Sequence, residues 1–568
     1  MNRLTGNLTA WNGLTLFLIL AYLGFFLIYP VTYVFKEAFW VEGTFTLQIV
    51  LGLFESPYQM GCIFNSFKVA VVATVLTLLV AMPLAHAFAR YRFAGKSLMN
   101  MLVLVPLILP PFVGAIGMKQ FFARFGSLNL FLDQAGLVPL SQGIDWMGGS
   151  GFWGVVIMQV LHLYPILFLN IAAVMANVDP TLREAAENMG AGGARIFMTV
   201  TLPLVMPGVF AGSVIVFIAA FTDLGTPLIF NYREVIPVQI FDKLTDAAVD
   251  PSGYGLIVIV LVMTLVLFVI SKRIFGGGGH ATLTKGHAHA QELPLTPWKA
   301  VLVYGGFGLV FFLSVIPHLS VVFFSFAERW FFTVFPTEWS TRFYAEVFTL
   351  PLSVGSIRNS LLYASLSASV DLVMGVSVAY LLTRREFPLK DWLDALVMLP
   401  LALPGLVLAF GYVMSFNWKI DWLNPRENPM LLLVMCYSVR RLPFIVRAAV
   451  AGFQQTSVSL EEASQNLGAG LLTTLRKITL PLVMANLIAG TILTFSYAML
   501  EVSDSLILAM RQDYYPITKA IYQLMGRINA EAAPVACALG VVGMLILGLC
   551  LWGASMALGR KMGDLFRV

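Results

Sequence analysis

The residues of this chain with chemistry to do are charged groups set inside long apolar runs. Asp223 lies in AAFTDLGTPLIF, Glu501 in AMLEVSDSLIL with Asp504 just beyond it, and Asp371 stands in an apolar run of its own. Arg440, Arg441 and Arg447 share the stretch MCYSVRRLPFIVRAAVAG. A charge held in hydrocarbon carries a high free-energy cost, so each is a candidate for a solute or ion pathway. Two acids facing a central axis suit a cation route or a gate; acids at helix ends in water are the plainer reading. A guanidinium suits a phosphate, phosphonate or carboxylate, which it grips with parallel N–H donors. Adjacent arginines on a helix point about 100 degrees apart, so one is expected to pair with Asp371 while another reaches a cavity. A structural ion pair, or snorkelling to the membrane face, is the alternative. His280, His287 and His289 sit in a glycine-rich stretch, and Cys62, Cys436, Cys537 and Cys550 form no CxxC pair, so neither a metal nor a redox centre is expected.

The elements that must position these groups are membrane helices. The 568 residues are 59% hydrophobic and 11% charged, against about 25% charged in soluble proteins. The fold class read from this is an all-α integral membrane protein. A net charge of +5 is what a modest excess of basic loop residues supplies and gives no sign of nucleic-acid binding. A span needs roughly 20 residues free of charge. Such intervals fall at 14–35, 69–89, 97–118, within 147–178, within 196–222, and at 251–271; then at 300–327, 395–418, 478–500 and 532–559, with further helices read through 361–382, which holds Asp371, and around 430–450, which holds the three arginines. The expectation is twelve transmembrane helices in two six-helix halves, 1–274 and 298–568, joined by a polar glycine-rich cytoplasmic linker at 275–297. The first interval is followed by no small-residue cleavage site and reads as a retained helix.

The halves are one module written twice. EAAENMGAGGARIFMTVTLPLVMPGVFAG, from Glu184, returns without a gap as EASQNLGAGLLTTLRKITLPLVMANLIAG, from Glu462, an offset of 278; the block from Asn65 returns from Asn359 at an offset of 294. Asp223 and Glu501 thus hold equivalent positions, while Arg440 and Arg441 stand opposite His162 and Leu163. Pro110-Pro111 and Pro404-Gly405 break equivalent spans, a pattern seen near transporter pathways. Arg90, Arg92 and Lys96, like Arg384, Arg385 and Lys390, fill matched loops. With Lys272, Arg273, Arg560, Lys561 and Arg567 they fall on one side when the N-terminus is cytoplasmic. Both Glu-Ala stretches are then cytoplasmic. Each begins as a short helix, with Asp179 and Pro180 at its start and Leu182, Ala185, Ala186 and Met189 at three- and four-residue spacings in the first copy. Gly190 or Gly468 is placed to end it in a left-handed turn.

EAA, three residues, G, an apolar run and then Leu202-Pro203 or Leu480-Pro481 resemble the EAA loop of permease subunits in bacterial ABC importers. The resemblance covers nearly the whole chain; the second copy departs only in Ser464 for the last alanine. It implies that the short helices seat in a separate dimeric ATP-binding subunit through Glu184, Ala185, Gly190, Glu462, Ala463 and Gly468, and that a periplasmic or lipid-anchored binding protein delivers solute to a bacterial inner-membrane permease with both termini cytoplasmic. The chain has no GxxxxGK[ST] loop, so it is not itself expected to be an enzyme or to bind a cofactor; ATP and magnesium are expected on the partner, whose closure drives alternating access. The fused arrangement is similar to permeases for ferric iron, aminoethylphosphonate or thiamine, with iron first and a phosphonate or other organophosphate next because of the arginine pair. An ion-coupled secondary transporter also uses two repeats and broken helices and is the alternative class; a channel is disfavoured because no filter-like segment is present.

Overall fold

A computed structural model describes residues 10–107, 110–149, 151–176, 178–244, 250–275, 292–418, 420–527 and 531–558. The three linker histidines and the basic C-terminal residues fall outside these. Among the described residues nine helices are long and apolar enough to cross a membrane, and eleven crossings result when two sharply bent pairs count as one span each. The twelfth expected span is helix Met430–Gln455, whose 26 residues include Arg440, Arg441 and Arg447.

Matched sequence gives matched helices. Pro57–Arg90 and Pro351–Arg384 each run 34 residues with proline in the first turn, where its missing N–H costs nothing. At about 1.5 Å per residue such a helix is roughly 51 Å long, longer than an approximately 30 Å hydrocarbon core. Its basic end therefore projects into water. The third span of each half is broken: Lys390–Leu401 meets Gly405–Ser415 at 97°, and Lys96–Leu107 meets Pro111–Gln134 at 88°. The segments restart directly after Pro404 and Pro110, which confirms the kinks expected from the paired prolines.

Packing divides the chain differently from the sequence repeat. One compact unit comprises Met1–Leu53, Lys243–Leu261 and Tyr344–Leu565; the other comprises Phe54–Asp242, Val262–Phe343 and Phe566–Val568. The opening helix, Trp11–Phe39, thus packs with the second repeat, where the Tyr22 hydroxyl lies 2.6 Å from Ser438 Oγ and Tyr412 donates to the Phe26 carbonyl at 2.7 Å. Helix Pro297–Phe326 packs with the first repeat. The restarted segments meet these helices through glycine: a Cβ on Gly411 would touch Pro30, and one on Gly117 would strike Ser320 and Val321.

Within each unit the repeated glycine of the fifth span lets two helices approach closely. A Cβ on Gly212 would meet Leu167 and Asn170; one on Gly490 would meet Ile445 and Ala448, the residues 278 further on. In the unit holding the second repeat, Ala379, Tyr380, Ala449, Phe453, Val483 and Leu487 form a buried cluster among three such helices, and the second Glu-Ala loop is built on that cluster.

Candidate functional site

The two Glu-Ala loops fold alike down to single hydrogen bonds. Helix Pro180–Asn188 is capped by Asp179, whose carboxylate accepts from Thr181 N at 2.9 Å and Thr181 Oγ1 at 2.8 Å. Helix Val458–Asn466 is capped by Ser457, accepting from Ser459 N at 3.3 Å. A side-chain oxygen here satisfies a backbone donor the helix leaves free. At the other end Ala191 N donates to Ala186 O and Gly190 N to Glu187 O; in the second copy Ala469 N donates to Ser464 O and Gly468 N to Gln465 O. This pattern requires a left-handed residue, and Gly190 and Gly468 have φ of +79° and +85°. Both loops continue into a π-helical turn, Phe197–Thr201 and Leu475–Thr479, before the Leu-Pro pair.

The surfaces these helices present are also matched. Glu184, Ala185, Gly190, Glu462, Ala463 and Gly468 are all exposed. Leu182 and Leu460 are 45% and 48% exposed, and Met189 and Leu467 are 81% and 89% exposed. Leu182, Ala185 and Met189, like Leu460, Ala463 and Leu467, recur at three- and seven-residue spacing and so share one face. Of Leu182, Ala185, Ala186 and Met189, only Ala186 is buried. Electrostatics differ between the copies. In the first, the Thr181 backbone and hydroxyl donors hold the Asp179 carboxyl below its ordinary range, and Arg183 does the same for Glu187.

Asp223 follows the last turn of helix Leu202–Thr222 and accepts from Gln159 Nε2 at 2.6 Å and Thr226 N at 3.3 Å. Its counterpart Glu501 lies in a charged cluster. Arg440 Nη1 is 2.8 Å from Glu501 and 2.6 Å from Asp504, and Arg441 Nη2 contacts the same Glu501 oxygen. The Arg440 guanidinium occupies the space a Cβ on Gly405 would need, so the cluster seats on the restart of the broken span. In the first repeat His162 and Leu163 stand in place of the two arginines and Thr226 in place of Asp504, and His162 Nδ1 donates to the Pro106 carbonyl at 3.0 Å. Asp371 is not paired with an arginine as expected; it accepts from Ser438 Oγ at 2.6 Å. Arg440 and Arg441 find closer acids just past helix Leu480–Met499, and Arg447 reaches Asp394 in a largely exposed pair.

The family of binding-protein-dependent transport system inner membrane components matches this chain twice, over residues 81–275 and 371–563. The chain belongs to this family. Each match holds one of the bent spans, one Glu-Ala loop and one of the paired glycines, so the permease is the fused, two-repeat form. It is 28% identical to the ferric transport system permease protein FbpB of Actinobacillus pleuropneumoniae over 493 residues, 84% of this chain and 69% of that relative. It is 23% identical to the Fe(3+)-transport system permease protein FbpB 2 of Haemophilus influenzae over 87% of this chain and 89% of the relative. The molybdenum transport system permease protein ModB of Haemophilus influenzae is 28% identical over 219 residues, 38% of this permease but 92% of the relative. A single-module relative thus corresponds to a fraction of the permease.

Sequence reasoning located both loops and the membrane acids. It treated Asp504 as a lesser companion of Glu501, though Asp504 is fully buried and bound to Arg440. It counted Arg384 only as a loop charge, whereas Arg384 is buried against Glu461. The exception at position 461, an acid where the first repeat has Arg183, is the signal that points to that pair.

Proposed function

We propose that this permease is the translocation subunit of an ATP-driven importer of ferric iron. A separate ATPase dimer, carrying ATP and magnesium, docks on helices Pro180–Asn188 and Val458–Asn466, and a periplasmic or lipid-anchored binding protein delivers the metal from outside. The carrying observation is the duplication of an exposed apolar stripe on two identically capped helices, Leu182 with Met189 and Leu460 with Leu467. Large apolar side chains facing water at equivalent places suit a protein partner. In each unit the loop lies beside the basic end of the long helix, Arg90 near Arg183 and Arg384 on Glu461. Basic loop ends on the cytoplasmic side would then put the docking helices and both termini in the cytoplasm.

The substrate reading rests on the ferric permease relatives and on two features of the unit holding the second repeat. Both arginines already have carboxylate partners, which leaves no free guanidinium pair for a phosphonate. A cavity of about 430 Å³ is lined by polar groups of Tyr33, Glu37, Glu42, Tyr254, Asn417 and Arg426; carboxylate and phenol oxygens suit a hard trivalent cation. Asp223 in one unit and Glu501, Arg440, Arg441 and Asp371 in the other are the proposed pathway-wall residues. Arg440, with its partner Asp504, packs directly against the helix restart at Gly405.

The test is ATP hydrolysis by the permease co-purified with its neighbouring ATPase in lipid, with the neighbouring binding protein empty or loaded with ferric iron, an aminophosphonate or thiamine. Stimulation by the iron-loaded protein alone is expected. If no ATPase co-purifies and uptake follows an ion gradient, the importer reading fails.

A further inference from the structure

The two docking helices share a cap, a turn and an exposed stripe, but their attachment to the membrane helices differs. At the end of helix Pro351–Arg384, Arg384 Nε donates to Glu461 Oε1 at 3.0 Å. Its Nη2 donates to the carbonyls of Phe453 and Thr456 at 3.0 and 3.2 Å and to Thr456 Oγ1 at 2.9 Å. Glu461 also accepts from Thr479 Oγ1 at 3.2 Å, and the guanidinium lies over the Phe453 ring, 5.4 Å from its centroid. Both side chains are almost wholly buried, 7% and 9% exposed. One guanidinium therefore joins the long helix, the end of helix Met430–Gln455, the docking helix and the start of the next span.

The first repeat keeps the arginine and loses the acid. Arg90 is the equivalent of Arg384, but Arg183 stands where Glu461 does, close enough for the two like charges to act on one another. Arg183 turns along its own helix to Glu187, 2.6 Å away and half exposed. Arg90 Nε is buried and has no hydrogen-bond partner among the described residues. A surface pair of this kind holds little, whereas a buried, multiply bonded one resists displacement because either charge left alone is strongly disfavoured.

We propose that Arg384 and Glu461 are positioning residues that clamp the second docking helix to the membrane helices, while the first docking helix, lacking the clamp, is the compliant one. The permease then receives motion from its ATPase stiffly through one repeat and through a yielding seat in the other. This rests on the docking reading given above, and its test separates the two.

Nitroxide probes are placed on the two outermost equivalent positions, Met189→Cys and Leu467→Cys, in the full-length permease in lipid with its four native cysteines replaced by alanine. Without ATPase, the probe at 467 is expected to be the slower. Glu461→Gln should raise its mobility to that at 189, and Glu461→Asp, which keeps a carboxylate for Arg384, should stay nearer the native mobility than Glu461→Gln. Arg183→Glu with Glu187→Gln, which writes the second repeat's residues into the first, should slow the probe at 189; this variant carries the test if Glu461→Gln does not fold. Equal mobility at the two positions in the unaltered loops, or no response at 189 to the added acid, overturns the clamp. With ATPase bound, loss of the clamp in Glu461→Gln should raise the ATP hydrolysed per solute several-fold, and Glu461→Asp should raise it less; an unchanged ratio with altered mobility overturns the positioning role. If the ATPase fails to bind the unaltered permease, the docking reading falls while the mobility result stands.

Discussion

Replacing both Gly190 and Gly468 by valine should uncouple ATP hydrolysis from transport without preventing membrane insertion. The two glycines have φ of +79° and +85°, and nothing lies within 4 Å of where a Cβ would stand. The penalty is therefore in the backbone and not in a clash. A left-handed conformation costs an ordinary residue about 1–2 kcal/mol, with β-branched residues the worst suited. One or two kcal/mol changes a population ratio about 5- to 30-fold. The turn also holds two backbone bonds, to Glu187 and Ala186 or to Gln465 and Ser464, each worth about 0.5–1.5 kcal/mol net, so the chain escapes the strain only by giving up a similar amount. Either way each docking helix loses its fixed end. The assay is solute-stimulated ATP hydrolysis against solute uptake in reconstituted vesicles, with membrane yield measured beside it. Asparagine, which tolerates the left-handed region, is the control and should keep most coupling. The reasoning is refuted if the valine pair couples as well as the native permease, or if asparagine does as much damage as valine.

Other substitutions probe the rest of the permease. Arg440→Leu strands Asp504, leaving Glu501 to Arg441 alone, and should destabilise by about 3–5 kcal/mol, seen as a fall in the thermal unfolding midpoint in detergent; an unchanged midpoint would show that the cluster holds nothing together. Gly490→Leu drives a side chain into Ile445 and Ala448 and should cost about 1–3 kcal/mol or more, visible as reduced yield of folded protein. Tyr254→Phe with Glu37→Gln should lower ferric-iron uptake several-fold while ATPase binding persists; full uptake would take that cavity out of the path. Hydrogen bonds from the Thr181 backbone and hydroxyl hold the Asp179 carboxyl below the ordinary aspartate value of about 3.9. Its stabilisation is then complete above that value and is lost as pH falls through the lower folded value. A probe at position 189 should loosen on acidification below about pH 4, and Asp179→Ser, the cap residue of the second copy, should lessen that response.

The sequence carried the two short Glu-Ala helices almost whole. Cap residue, apolar spacing and terminal glycine are local signals, and their return at a fixed offset gave each a second reading. The broken spans were legible for the same reason, since Pro110-Pro111 and Pro404-Gly405 act on their own backbone. Pairings across helices were not. The expected partner of an arginine was Asp371, the one acid inside a neighbouring span; the actual partners, Glu501 and Asp504, follow the end of another helix, where chain direction and side-chain reach decide the contact. The same holds for Arg384 and Glu461, which are 77 residues apart. Nor does hydropathy show that the opening helix packs with the second repeat, because an apolar helix face is the same whichever neighbour it meets.

That last arrangement sets a schedule for making the protein. Tyr22 and Ser438 touch across 416 residues of chain. At a synthesis rate of about 5–20 residues per second, the ribosome needs on the order of 20–80 s between the two. Throughout that interval Leu23, Leu27 and Val34, all fully buried in the finished fold, face lipid or an insertion factor instead. The early repeat likewise waits for helix Pro297–Phe326. A ribosome that stalls between the repeats leaves neither packing unit complete, so quality control has a whole module of unpaired helix faces by which to recognise the unfinished chain.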